Sequence, residues 1–153
     1  MNADKKADKK INLKEFNKFL RKHKTVNFRT VDLLNMAVLA RLKLEKGGEL
    51  HGQVKAYQRL LRCLHLRNLL TDSDEYTAET IAKDLLKLGI MSALQITAMG
   101  KKQFIENTVK VFSNDFGIAE KVYDNALIAR KLVALKYINQ RQNLEPYKRV
   151  AKV

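Results

Sequence analysis

This chain has very little covalent or conformational punctuation. Its 153 residues include one cysteine, Cys63, one proline, Pro146, six glycines and no tryptophan. A lone cysteine excludes an internal disulfide, so the fold must rest on packing and suits a reducing compartment. With so few glycines and prolines, long helices joined by short connections are expected. Long apolar runs are also missing. Each is interrupted by Arg, Lys or Asn within a few residues, far short of the roughly 20 that cross a bilayer. The first residues carry lysines without an apolar stretch after them, so no secretory signal is read. A cytoplasmic location is the expectation, with signal-independent export left open. Acidic side chains are scarce too, 16 Asp and Glu against 30 Lys and Arg.

What is present is a helix-forming, moderately apolar chain. Apolar residues make up 46%, enough to exclude wholesale disorder. The length fits one domain with a real core. The net charge of +14 is unevenly placed. Residues 1–24 carry nine basic against three acidic side chains, and residues 130–153 carry seven against one. Residues 25–129 carry fourteen against twelve and are nearly neutral. Basic ends on a neutral body fit solvated tails or arms that touch an acidic partner. A nucleic-acid binder more often has a basic face on its folded part. The expected organisation is a disordered basic tail over 1–11, a helical domain over 12–142 and a basic tail over 143–153.

Hydrophobic periodicity divides that domain. Asn12, with Glu15 at capping-box spacing, opens a helix whose face is Leu13, Phe16, Phe19 and Leu20. A second helix is predicted from Val31 to Lys46, with Leu34, Met36, Val38, Leu39 and Leu42 as its stripe and Gly47-Gly48 as its stop. A third runs from Glu49 or Gln53 to Leu70, followed by an acidic loop, TDSDEY. Thr77 caps a fourth that ends at Gly89. The segment IAKDLLKLGIMSALQITAMGKKQF then reads as helix, stop, short helix, stop, helix. Leu85, Leu86 and Leu88 fill an apolar face before Gly89, Ser92 and Gln95 form a capping box over Ala93–Met99, and Gly100 precedes a helix reaching Phe112. A final helix spans about 118–142, roughly 35 Å. The fold class is all-α, a single compact bundle of six or seven helices with a long C-terminal helix. Leu86, Leu94, Ile96, Phe104 and Val122 are expected to be buried together.

No constellation reads as catalytic. His51, Cys63 and His65 share a helical region, but Cys63 and His65 are two apart and face different ways, so no metal site is expected. A buried cysteine and two surface histidines explain them. Asp72, Asp74 and Glu75 lack the glycine and distal glutamate of a calcium loop. LKLGIMSALQITAM is similar in outline to helix-hairpin-helix DNA-binding modules. The nearest phosphate-approaching turn is Asp115-Phe116-Gly117, whose carboxylate sits where phosphate should go, so a capping turn is favoured. Lys55, Arg59 and Arg62 lie on one helical face and are candidate basic contacts, although a solvated face explains them equally. The last helix has more apolar residues than one packed stripe needs. Leu132, Leu135 and Ile138 are therefore candidate interaction positions.

Four segments taken in order resemble one family. They are Ala56-Tyr57-Gln58-Arg59-Leu60-Leu61-Arg62, then residues 85–96 (LLKLGIMSALQI), then 99–104 (MGKKQF), then 119–126 (AEKVYDNA). Together they resemble the helical N-terminal region of the A subunits of insecticidal toxin complexes and the related virulence-plasmid A proteins, over about Val54–Ala129. Apolar helical positions make up much of the pattern. The resemblance implies a helical packing or docking module with no catalytic residues. The pore-forming and receptor-binding parts of that family have no counterpart in these 153 residues, so pore formation is not implied.

The sequence thus leads to a non-catalytic protein-interaction or assembly module, in a toxin-complex or injection-particle setting, with no cofactor. The partner expected is a protein of unknown identity, with homo-oligomerisation left open. The alternative is a small basic nucleic-acid-binding protein.

Overall fold

The computed structural model describes residues 11–66 and 78–144. Within them the chain is all-helical and contains no strand. The order is α1 (Lys14–Lys22), α2 (Met36–Leu42), α3 (Glu49–Leu64), α4 (Ala78–Lys87), α5 (Ala93–Met99), α6 (Lys101–Thr108) and α7 (Phe116–Leu144). The 1–10 tail, the TDSDEY loop, the Thr77 cap, Leu69 and Leu70, and residues 145–153 lie outside the described residues.

α3 is the central element, and α1, α4, α5 and α7 all pack on it. Its apolar positions run round most of the helix, with Val54, Tyr57, Leu60, Leu61 and Leu64 all buried. That pattern belongs to a helix with neighbours on several sides. α1 docks through aromatics. Phe16 meets Tyr57 edge-on at 5.3 Å, and Phe28 bridges Phe19 (5.7 Å) and Tyr57 (6.2 Å). Asn12 does bond to the start of α1, accepting from the Lys14 N–H at 3.0 Å, but Leu13 holds the N-cap position.

The predicted Val31–Lys46 helix is only half realised. Residues 31–35 are turns, and Leu34 and Met36, expected in the stripe, are 78% and 59% exposed. Short polar side chains claim the backbone there. Asp32 accepts from the Leu34 N–H, and Asn35 caps α2 by accepting from Ala37 and Val38. Side chains of α3 take the carbonyls. Gln58 Nε2 donates to Phe28 (2.8 Å) and Val31 (2.7 Å), and His51 Nε2 lies 3.0 Å from the carbonyl of Leu33. His51 is thus a buried strut and not the surface histidine the sequence suggested; its Nδ1 accepts from the Gly47 N–H. α2 ends at the left-handed Lys43, well before Gly47, and Gly48 serves as the N-cap of α3.

The corner from α4 to α6 follows its glycines. Gly89 has φ +80°, its N–H donates to the Leu86 carbonyl, and the Ile90 N–H reaches Leu85. This is the doubly bonded Schellman ending, with Ile90 buried behind it. Leu88, on the turn itself, is exposed. Ser92 caps α5, accepting from the Gln95 N–H at 3.3 Å, and Gln95 Oε1 accepts from the Met91 N–H. The expected cluster forms from Leu86, Ile96, Phe104 and Val122, all fully buried. Leu94 does not join it and is 58% exposed. At about 100° per residue it points away from the face set by Ala93, Ile96 and Met99. α6 stops at Thr108, short of Phe112, where the Thr108 hydroxyl donates back to the Phe104 carbonyl at 2.6 Å. Phe112 still reaches the core through the turn and packs on Phe104.

Asp115 accepts from the Ile118 N–H at 3.2 Å, so the Asp-Phe-Gly turn is a cap for α7. The first half of α7 packs through Ala119, Val122, Tyr123 and Ala126. From residue 130 to residue 143 every side chain is exposed.

Candidate functional site

The free end of α7 is apolar in the wrong place for a solvated helix. Leu132, Val133, Ala134 and Leu135 are consecutive, and at about 100° per residue they face all directions around the axis. Tyr137 and Ile138 extend two of those directions. A helix that is apolar all round is ordinarily buried. Here Leu132, Val133, Leu135, Tyr137 and Ile138 are each about half or more exposed. The candidates Leu132, Leu135 and Ile138 thus stand on the exposed end of α7, which is joined to α5 at its root by the Arg130–Thr97 hydrogen bond.

At the root of that segment a groove of about 520 Å³ opens between the end of α3, the start of α5 and α7. Leu94, Leu132 and Val133 form its apolar wall, and Arg59, Arg62 and Arg130 rim it. Among the described residues no carboxylate lines it. Arg62 Nε donates to the Arg29 carbonyl at 2.9 Å, and Arg130 Nη1 reaches the Thr97 hydroxyl at 3.4 Å. Among the described residues none of the three arginines is ion-paired. The ion pairs lie elsewhere, from Lys101 to Glu120 (2.9 Å) and Asp124 (3.4 Å), and from Lys87 to Asp84 (3.7 Å).

The structure therefore joins part of two candidate sets. Leu132 comes together with Arg59 and Arg62. Leu135 and Ile138 lie farther out on α7, beyond the groove. Lys55 is half-buried and borders a shallower recess of about 320 Å³ against residues 30–34. Sequence reasoning missed Leu94, Val133 and Arg130 as groove residues. Leu94 was detectable, because its angle sets it opposite Ile96. Val133 was not, because its exposure depends on where packing along α7 stops.

Beneath the groove, Cys63 is buried, and that burial pushes its thiol up to about 11. It is a protonated packing residue at neutral pH. Beside it Asn125, fully buried on α7, donates from Nδ2 to the carbonyls of Cys63 (3.3 Å) and Leu66 (2.9 Å). α7 thereby ties down the C-terminal end of α3, where helical carbonyls lack partners.

A second, larger recess of about 620 Å³ is polar. His23, Lys24, Arg29, His65 and Lys83 border it together with Glu79. No described helix is long and apolar enough to cross a membrane. No family model, curated protein or solved structure matches the chain.

Proposed function

We propose that this chain is a non-catalytic helical interaction module whose docking face is the free end of α7 and the groove at its root. One observation carries the reading: every side chain from 130 to 143 is exposed, and within that stretch Leu132, Val133, Ala134, Leu135, Tyr137 and Ile138 put apolar surface on all sides of the helix. Such a surface gains from a partner what it does not gain from its own fold. An assembly of toxin-complex or injection-particle type is the setting we infer, and it rests on the residue resemblance over Val54–Ala129 alone.

Placing a photo-crosslinking residue at Leu135 or Tyr137, and at Lys110 as a control outside α7, tests the reading in native cells. Protein adducts of one mass from the α7 positions, and none from Lys110, are expected. Nucleic-acid adducts, or equal adducts from all three positions, would overturn it. The polar recess with His23, Lys24, Arg29, His65 and Lys83 favours the second reading, nucleic-acid binding. That reading requires an affinity that falls steeply with added salt, through counterion release, yet persists at physiological ionic strength.

A further inference from the structure

We infer that the groove takes an acidic amphipathic helix of a partner protein, with aliphatic side chains on Leu94, Leu132 and Val133 and carboxylates on Arg59, Arg62 and Arg130. The inference rests on the docking reading above and adds the chemistry of the occupant. Charge carries it. Three guanidinium groups surround an apolar wall, and among the described residues no carboxylate lines it and none of the three has an ion pair. Guanidinium forks match carboxylates bidentately, and ion pairs gain strength once an apolar contact excludes water.

The same charges argue against a second copy as occupant. The chain is at +14, and another α7 would bring Arg130, Lys131, Lys136 and Arg141 onto this rim. Nucleic acid would satisfy the arginines but leave the wall of Leu94, Leu132 and Val133 facing backbone phosphate or water. An extended peptide would find no sheet edge here, since helices form the walls, and its backbone groups would stay unpaired. A helix pairs its own backbone and presents apolar anchors at i, i+3, i+4 and i+7.

The test uses the full chain and fluorescent synthetic helices at physiological salt. One peptide carries leucines at i, i+3, i+4 and i+7 with glutamates on the flanks. A second has every glutamate replaced by lysine, and a third is a scramble of the first. Short single-stranded DNA is the fourth probe. The acidic amphipathic peptide is expected to bind at least about tenfold more tightly than each of the others, a gap typical of matched against mismatched charge. Leu94→Asp, Leu132→Asp, and Arg59→Glu combined with Arg130→Glu should each weaken it about tenfold or more. Circular dichroism should show these variants as helical as the parent, because all four positions are exposed. Equal binding of the lysine or scrambled peptide would overturn the inference, as would indifference to these substitutions. So would tighter binding of DNA, or a dimer in sedimentation that Leu132→Asp abolishes. Protein crosslinks from Leu135 without any preference for acidic peptide would sink this inference and leave the docking reading standing. Absence of those crosslinks would sink the docking reading itself.

Discussion

Asn125 shows how a single polar side chain can hold two elements in register. Its amide donates to two carbonyls at the end of α3, while its Oδ1 has no partner among the described residues. Asn125→Ala should cost about 1–3 kcal/mol, because it leaves buried carbonyls unpaired. Asn125→Asp should cost more, since it sets a carboxylate against those same oxygens and removes both donors. Chemical denaturation of the two variants checks the order. If aspartate is tolerated as well as alanine, the amide is not bonded as described. Sequence reasoning placed His51 on the surface and met Gln58 and Asn125 only inside the resemblance, and it gave none of the three a bonding role in the fold. The carbonyls they hold lie 18 to 62 residues away, and no local pattern marks them.

At the scale of the element, α5 is the clearest case of a helix whose existence and orientation have different origins. Its bounds follow from Ser92, Gln95 and Gly100, and these are local signals. Which of its side chains is buried depends on where α6 and α7 sit. Ile96 faces both and is fully buried, while Leu94 looks into the open groove. Ile96→Ala should therefore cost about 2–5 kcal/mol. Leu94→Ala should change stability by no more than about 0.5 kcal/mol. Paired urea melts of the two variants measure this directly, and a large loss at Leu94 would contradict the placement of α5. α2 teaches the converse. Its apolar spacing extends back to Val31, yet Asn27, Asp32 and Asn35 divert the backbone into turns that α3 then secures.

At the scale of the whole molecule, stability should depend on pH at the alkaline end, and the cause lies in α3. Burial raises Cys63 from 9.0 to about 11. Burial first, and then the charge of Glu79, raise Tyr57 from 10.0 to about 12. Both groups lose protons more easily when the chain unfolds, so between about pH 9 and 12 the folded state holds more protons than the unfolded one. Stability is then full below pH 9 and falls as pH rises through that window. Tyr57→Phe should flatten the decline above about pH 10, and Cys63→Ala should flatten it between about pH 9 and 11. Melting temperatures across that range check both, and an unchanged slope in the variants would refute the assignment.

The sequence by itself determined the all-α class, the glycine-punctuated corner from Gly89 to Gly100, the bounds of α5 and the presence of a long last helix, which runs over Phe116–Leu144 where the spacing predicts about 118–142. These depend on interactions within a few residues, namely capping, left-handed turns and 3.6-residue periodicity. It also marked α7 as more apolar than one stripe requires. Only the tertiary structure decided which apolar residues are core and which are left outside. Leu94 and Val133 are as hydrophobic as Leu86 and Val122, but the first pair borders the groove while the second is enclosed by neighbouring helices. The meeting of Arg59, Arg62 and Arg130 with Leu132 was likewise decided by packing, which brings α3 and α7 together across more than sixty residues of chain.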